Sequence, residues 1–156
     1  MTDAERAYTA GLNLLAKREL SESQLRTRLA RRTFDDTAIN EAVTRLCRER
    51  ALDDRRTALA CARTEARVKR RGRARIVRQI EALGISRDIA REAVSEVFSE
   101  LDENELLEQA FDRRLRRGVS LADPAVTRRI HRYLLGQGFD PGSVTALLRR
   151  RARNVE

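Results

Sequence analysis

The chain has two cysteines and one histidine in 156 residues. That is too few for a zinc set or a disulfide framework. Both thiols, Cys47 and Cys61, fall in Ala- and Leu-containing stretches with helical patterning, where a free cysteine is expected to act as a small buried hydrophobe. There are two prolines and seven glycines, and no run of strict apolar–polar alternation. Strands are therefore not expected, and almost everything reads as helix. No apolar run approaches the roughly 18 residues of a membrane span. The opening MTDAERAYTA is charged and amphipathic rather than a signal peptide, so the expected location is the cytoplasm, away from membranes.

Chemistry-bearing constellations are also lacking. The glycines are scattered at helix ends instead of forming a phosphate-binding loop. No nucleophile stands at a recognisable spacing from a base. His131 follows Ile130 and precedes Arg132, a boundary or surface setting without an evident partner. The adjacent acids Asp53 and Asp54 read as a helix cap, because a Mg²⁺ site needs further ligands or a substrate phosphate. The expectation is no enzyme, no metal, no cofactor and no small-molecule substrate.

What is present is a spaced signature that occurs three times. Its first copy is Leu25, Leu29, Phe34, Asp35, Ile39 and Val43. The second is Ile76, Ile80, Ile85, Ser86, Ala90 and Val94, and the third Ile130, Leu134, Phe139, Asp140, Val144 and Leu148. A period of this size means an array of one unit, each copy lending its neighbour a face to bury against. The units are expected at 1–50, 51–100 and 101–156, each of three helices. In the first unit Ala4, Tyr8, Leu12 and Leu15, with Gly11, are expected on one face of the opening helix. Ser21 and Gln24 form a capping-box pattern, and Asp35 is placed to cap the third helix. In the second unit the first helix is expected to run to about Arg70, with Gly72 as its breaker. Gly84 and Gly138 suit left-handed helix ends. Asp123-Pro124 and Asp140-Pro141 are cap-then-proline starts.

Charge is the other positive feature. Basic residues number 33 against 24 acidic ones, a net charge of +9, which suits nucleic acid or an acidic protein surface as partner. Only Lys17 and Lys69 are lysines. The preference for Arg fits bidentate gripping of phosphate and carboxylate, and fits equally an Arg-favouring codon usage. The excess is concentrated in the middle: residues 55–78 carry ten basic residues against the single acid Glu65. Arg63, Arg67, Lys69, Arg70, Arg71, Arg73, Arg75 and Arg78 are the contact candidates from this window. Aromatics are nearly absent there, so base stacking is not expected. Binding through it is expected to be electrostatic and salt-sensitive, without sequence readout.

Taken in order, these residues resemble the RecX family of bacterial recombination regulators over nearly the whole chain. The resemblance is carried by Ala7-Tyr8, by Leu14 to Glu19 with Ser21, by Phe34-Asp35, and by Leu52-Asp53-Asp54 with Arg56 and Ala58. Arg75-Ile76, Gly84-Ile85 and Gly138-Phe139-Asp140 continue it. The chain departs from the family pattern at Thr57, where an aromatic is common, at Glu65, where an arginine is usual, and at Gly72-Arg73, where Gly-Pro is usual. The resemblance implies an all-α fold of three tandem three-helix repeats stacked into an elongated curved rod. It implies a partner, the RecA recombinase filament, contacted along its groove with DNA phosphates within or near it, and usually inhibited. The alternative reading is a helical protein that binds DNA directly, with one helix pair as a helix-turn-helix. A metal-dependent nuclease is a third reading, and the acidic cluster it needs is not found in the sequence.

Overall fold

Nine helices and no strand occupy the described residues, 1–115 and 117–154 of this computed structural model. Arg116, Val155 and Glu156, which belong to the third expected unit, lie outside them. The helices fall into three triplets. The first is α1 (Asp3–Lys17), α2 (Glu22–Arg31) and α3 (Asp36–Arg48); the second is α4 (Asp54–Arg67), α5 (Arg73–Ala82) and α6 (Arg87–Ser99). The third is α7 (Glu103–Arg114), α8 (Pro124–Gly136) and α9 (Pro141–Arg153). The closest helix packing lies within each triplet. This is the all-α, three-repeat architecture that the signature predicts.

The signature is the repeat's wiring. Leu25, Ile76 and Ile130 are buried equivalents on the middle helices, as are Leu29, Ile80 and Leu134 one turn on. Asp35, Ser86 and Asp140 each N-cap the last helix of their triplet through a side-chain oxygen. That bond satisfies a backbone N–H with no partner inside the helix. The residue that turns the chain between the second and third helices has a left-handed backbone in all three copies: Thr33 at φ 67°, Gly84 at 83° and Gly138 at 95°. Every helix except α5 starts with a side-chain cap. At α5 the N-cap is Gly72, which has no side chain to offer.

Two sequence expectations shift. The buried face of α1 is Ala7, Gly11 and Leu14, while Leu12 is 37% exposed. The helix is rotated so that its small residues meet α3, with Gly11 against Leu46. Helix α4 ends at Arg67, short of Arg70. The chain folds back there because the Arg71 N–H donates to the Glu65 carbonyl at 3.0 Å.

The apolar core is in separate parts. Leu14, Leu20, Leu25, Leu29, Val43 and Leu46 close the main core of repeat one. Repeats two and three share a continuous core from Ala58 to Leu148, which includes Phe111 at zero exposure. Polar junctions join consecutive repeats. The Ser21 hydroxyl donates to the Leu83 carbonyl, so the start of α2 sits on the end of α5. The Gly72 N–H donates to the Gln137 carbonyl at 2.8 Å, so the start of α5 sits on the end of α8. Such head-to-tail helix ends satisfy orphan groups and oppose unlike dipole ends.

Candidate interaction surface

The basic window covers the exposed side of α4, the connecting loop and the first turns of α5. Its centre is an acid. Glu65 is buried, and its carboxylate accepts from Lys69 Nζ at 2.8 Å and from the Arg71 guanidinium. Burial pushes the Glu65 carboxyl up, but the hydrogen bonds and charges of Lys69 and Arg71 outweigh that and hold it below its usual range. The residue that departs from the family pattern therefore organises the loop.

Several of the remaining charges are tied to the end of their own repeat or to the next one. Arg67 pairs with Glu100 at 3.1 Å. Arg73 pairs with Glu103, and its guanidinium lies 4.9 Å from the centre of the Phe98 ring. Arg70, held at φ 51°, donates to Gln109 at 2.7 Å. Arg75 donates to the Gly136 carbonyl at 3.4 Å. Arg63 and Arg78 are exposed and have no ion pair among the described residues. The stretch that reads in sequence as one continuous patch is thus partly a seam between repeats two and three. The signal for this was the acidic joint Glu100–Glu103, whose pairing depends on the fold.

Leu52, Asp53, Asp54 and Arg56 form a second seam, between repeats one and two. Leu52 is buried in the repeat-one core. Asp53 caps α4, accepting from the N–H groups of Arg55 and Arg56. Asp54 reaches the other way and accepts from the Glu22 N–H at the start of α2, at 2.8 Å. Burial pushes the Asp54 carboxyl up, partly opposed by that bond. Arg56 pairs with Glu19 at 2.8 Å and donates to the carbonyls of Arg50 and Ala51. Thr57, another departure from the family pattern, is buried with its hydroxyl 3.2 Å from the same Glu19 carboxylate. Adjacent acids cap two different helices.

Other sequence candidates stand apart from these seams. His131 is half-buried on α8 and lines a groove between α8 and α9. Cys47 is exposed and Cys61 half-buried, so the expectation of two buried thiols is corrected for Cys47: Val43 and Leu46 take the inner face of α3 and turn Cys47 outward. Among the described residues no group of three or more His, Cys, Asp or Glu could hold a metal ion. No helix among them is long and apolar enough to cross a membrane.

Comparison with known proteins gives one answer. The family model described as "RecX, first three-helix domain" matches residues 7–46, which span the buried parts of α1 to α3. A regulatory protein RecX of Syntrophotalea carbinolica is 31% identical over 134 residues, covering 85% of this chain and 88% of that protein. Another, of Pelodictyon phaeoclathratiforme, is 28% identical over 151 residues, covering 96% of this chain and 92% of its relative. The crystal structure of RecX from Lactobacillus salivarius superposes with a TM-score of 0.79 at 20% identity, covering 97% of both chains.

Proposed function

The chain belongs to the RecX family, and from that premise we propose that it regulates the RecA recombinase by binding the RecA–DNA filament along its groove. On this reading it modulates strand exchange, filament growth and ATP turnover in recombination and DNA repair, in the cytoplasm. The single observation that supports it is the joining of the repeats. Ser21 to Leu83 and Gly72 to Gln137 fix three repeats end to end without a flexible linker. An array held that way can touch several protomers at once, and many weak contacts then add through effective concentration.

The protein acts by occupancy rather than by chemistry. Arg63 and Arg78 supply exposed cations for filament carboxylates or DNA phosphates. Arg67, Lys69 and Arg73 remain about half exposed beyond their own pairs and add to the field. Inhibition follows from blocking duplex entry or filament growth. The test is binding to bare DNA, to RecA alone and to RecA–DNA filaments across a salt series. Preference for the filament is expected. Bare DNA bound as tightly as filament, with no affinity for RecA, would replace this reading with direct DNA binding.

A further inference from the structure

Among the described residues the head-to-tail junctions leave the α8 end of the helix stack uncovered. The start of α2 rests on the end of α5, and the start of α5 on the end of α8. The start of α8, at Asp123 and Pro124, is exposed. Two residues before the equivalent Leu25, Ile76 and Ile130 stand Ser23, Ala74 and Arg128. Ser23 lies against Gly84 of the next repeat, and the Ala74 N–H donates to the Gly138 carbonyl at 3.3 Å. Arg128 meets no further repeat among the described residues, and its size would prevent such close backbone approach.

A repeat face that no other repeat covers is expected to be polar. Here the face is a groove of 730 Å³ between α8 and α9, with Leu121, Pro124, Leu148 and Ala152 among its lining. Its rim holds Arg128, Arg132 and Arg149. None of the three has an ion pair among the described residues, whereas Arg150 and Arg151, on the other side of α9, are held by Glu108. The acid nearest to Arg128 in sequence, Asp123, accepts from the Ala125 N–H as the α8 cap, and Asp140 likewise caps α9. Apolar floor and basic rim together call for a ligand that is apolar at its centre and acidic at its edges.

We propose that this groove docks an acidic, amphipathic polypeptide segment, presenting apolar side chains to the floor and carboxylates to the three arginines. A second copy of this chain is disfavoured by charge. The free opposite end of the stack is the C-terminal turn of α2, which carries Arg28, Arg31 and Arg32 and would meet a basic rim. Nucleic acid would satisfy the rim but leave the apolar floor of Leu121, Pro124, Leu148 and Ala152 unused, with His131 the one aromatic ring in the lining. The site lies outside the α4–α5 surface used above, and its test contains no RecA, so either reading can fail without the other.

The experiment uses the full chain and a short fluorescein-labelled synthetic peptide helix, with leucines along one face and glutamates flanking them. Its partner probes are the same peptide with lysine for glutamate and a labelled oligodeoxynucleotide. Anisotropy should show binding of the acidic peptide, weakening with salt, and at least about tenfold poorer binding of the lysine peptide. Arg128→Glu combined with Arg132→Glu should lower affinity by about tenfold or more. Ala152→Trp, which fills the floor without changing charge, should lower it as well. Arg48→Glu, on the exposed side of α3, should leave it unchanged, with circular dichroism confirming that each variant is folded. Equal binding of both peptides, or acidic-peptide binding indifferent to the groove variants, overturns the proposal. Oligonucleotide binding lost in the double variant, with no peptide bound, overturns it in favour of nucleic acid.

Discussion

The Gly72 backbone N–H donates to the Gln137 carbonyl oxygen at 2.8 Å, in the place where the Ser21 hydroxyl meets the Leu83 carbonyl one repeat earlier. The same helix-end junction is built once with a side chain and once with bare backbone. The reason for the difference is distance. A Cβ on Gly72 would fall 2.5 Å from the Phe139 amide nitrogen, too close for any real contact. Gly72→Ala should therefore force the second junction apart, at a cost of about 1–3 kcal/mol, the usual range for overpacking. Urea unfolding measures this, and an unchanged midpoint would mean that the junction has slack to absorb a methyl group.

Thr33 occupies a left-handed backbone position that Gly84 and Gly138 fill in the other repeats. A β-branched residue is strained there, because its Cβ crowds the neighbouring carbonyl. Thr33→Gly should stabilise repeat one by about 1 kcal/mol, the strain relieved being partly offset by glycine's greater unfolded-state entropy. A rise in thermal midpoint is the expected readout. A fall would show that the Thr33 hydroxyl, which donates to the Arg32 carbonyl at 2.6 Å, outweighs the strain.

Local chemistry was legible in the sequence and long-range pairing was not. The capping box of Ser21 and Gln24, the caps Asp35, Ser86 and Asp140, and the glycine turns depend on neighbours within a few residues, and all are present. The repeat spacing exposed the buried positions because the same helix geometry recurs. The partners of Arg67, Arg73 and Arg70 lie 33, 30 and 39 residues away, and no local pattern joins them. Nor could spacing show that Asp53 and Asp54 serve different helices. The buried face of α1 centres on Ala7, Gly11 and Leu14 instead of Ala4, Tyr8, Leu12 and Leu15, because Ala7 packs with Ala38 and Ala42 and lets the helix approach α3 closely.

Leu25, Ile76 and Ile130 hold equivalent buried sites, but Leu25 belongs to one core and Ile76 and Ile130 to another. Each change to alanine should destabilise by roughly 2–5 kcal/mol, the transfer and cavity cost of a buried aliphatic. The pattern of hydrogen exchange should differ. Leu25→Ala should loosen mainly residues 1–52, whereas Ile76→Ala and Ile130→Ala should each loosen repeats two and three together. Uniform loosening of the whole chain by Leu25→Ala would mean that the polar junctions couple the cores more strongly than their separation implies.

Glu65 makes stability depend on acid. Its folded carboxyl titrates below its ordinary value of 4.5, so the ionised form is favoured by the fold. Its contribution is therefore complete above the unfolded value and is lost as pH falls through the lower folded one. Glu65→Gln keeps the shape and removes the charge. It should cost about 1–3 kcal/mol at neutral pH, the scale of hydrogen bonds to a charged group. The gap between variant and parent should narrow as the pH is lowered below the ordinary carboxylate range. A gap that stays constant from neutral to acid would assign the cost to packing instead of charge.

The two kinds of arginine in the basic window can be separated by charge reversal. Arg63 and Arg78 are exposed and unpaired among the described residues, whereas the Arg71 side chain is 20% exposed and faces the Glu65 carboxylate. Reversing Arg63 and Arg78 to glutamate should move stability by no more than about 0.5 kcal/mol, the usual range for surface positions. The same change should weaken filament binding and flatten its salt dependence, since fewer counterions are then released. Arg71→Glu should instead lower the unfolding midpoint, because it sets a carboxylate against Glu65 in a half-buried site. Its effect on binding would then follow from a loosened junction. If reversal at Arg63 and Arg78 leaves both affinity and salt slope unchanged while the protein remains folded, the filament contact lies on another face of the array, and the exposed charge on α4 and α5 serves only solvation.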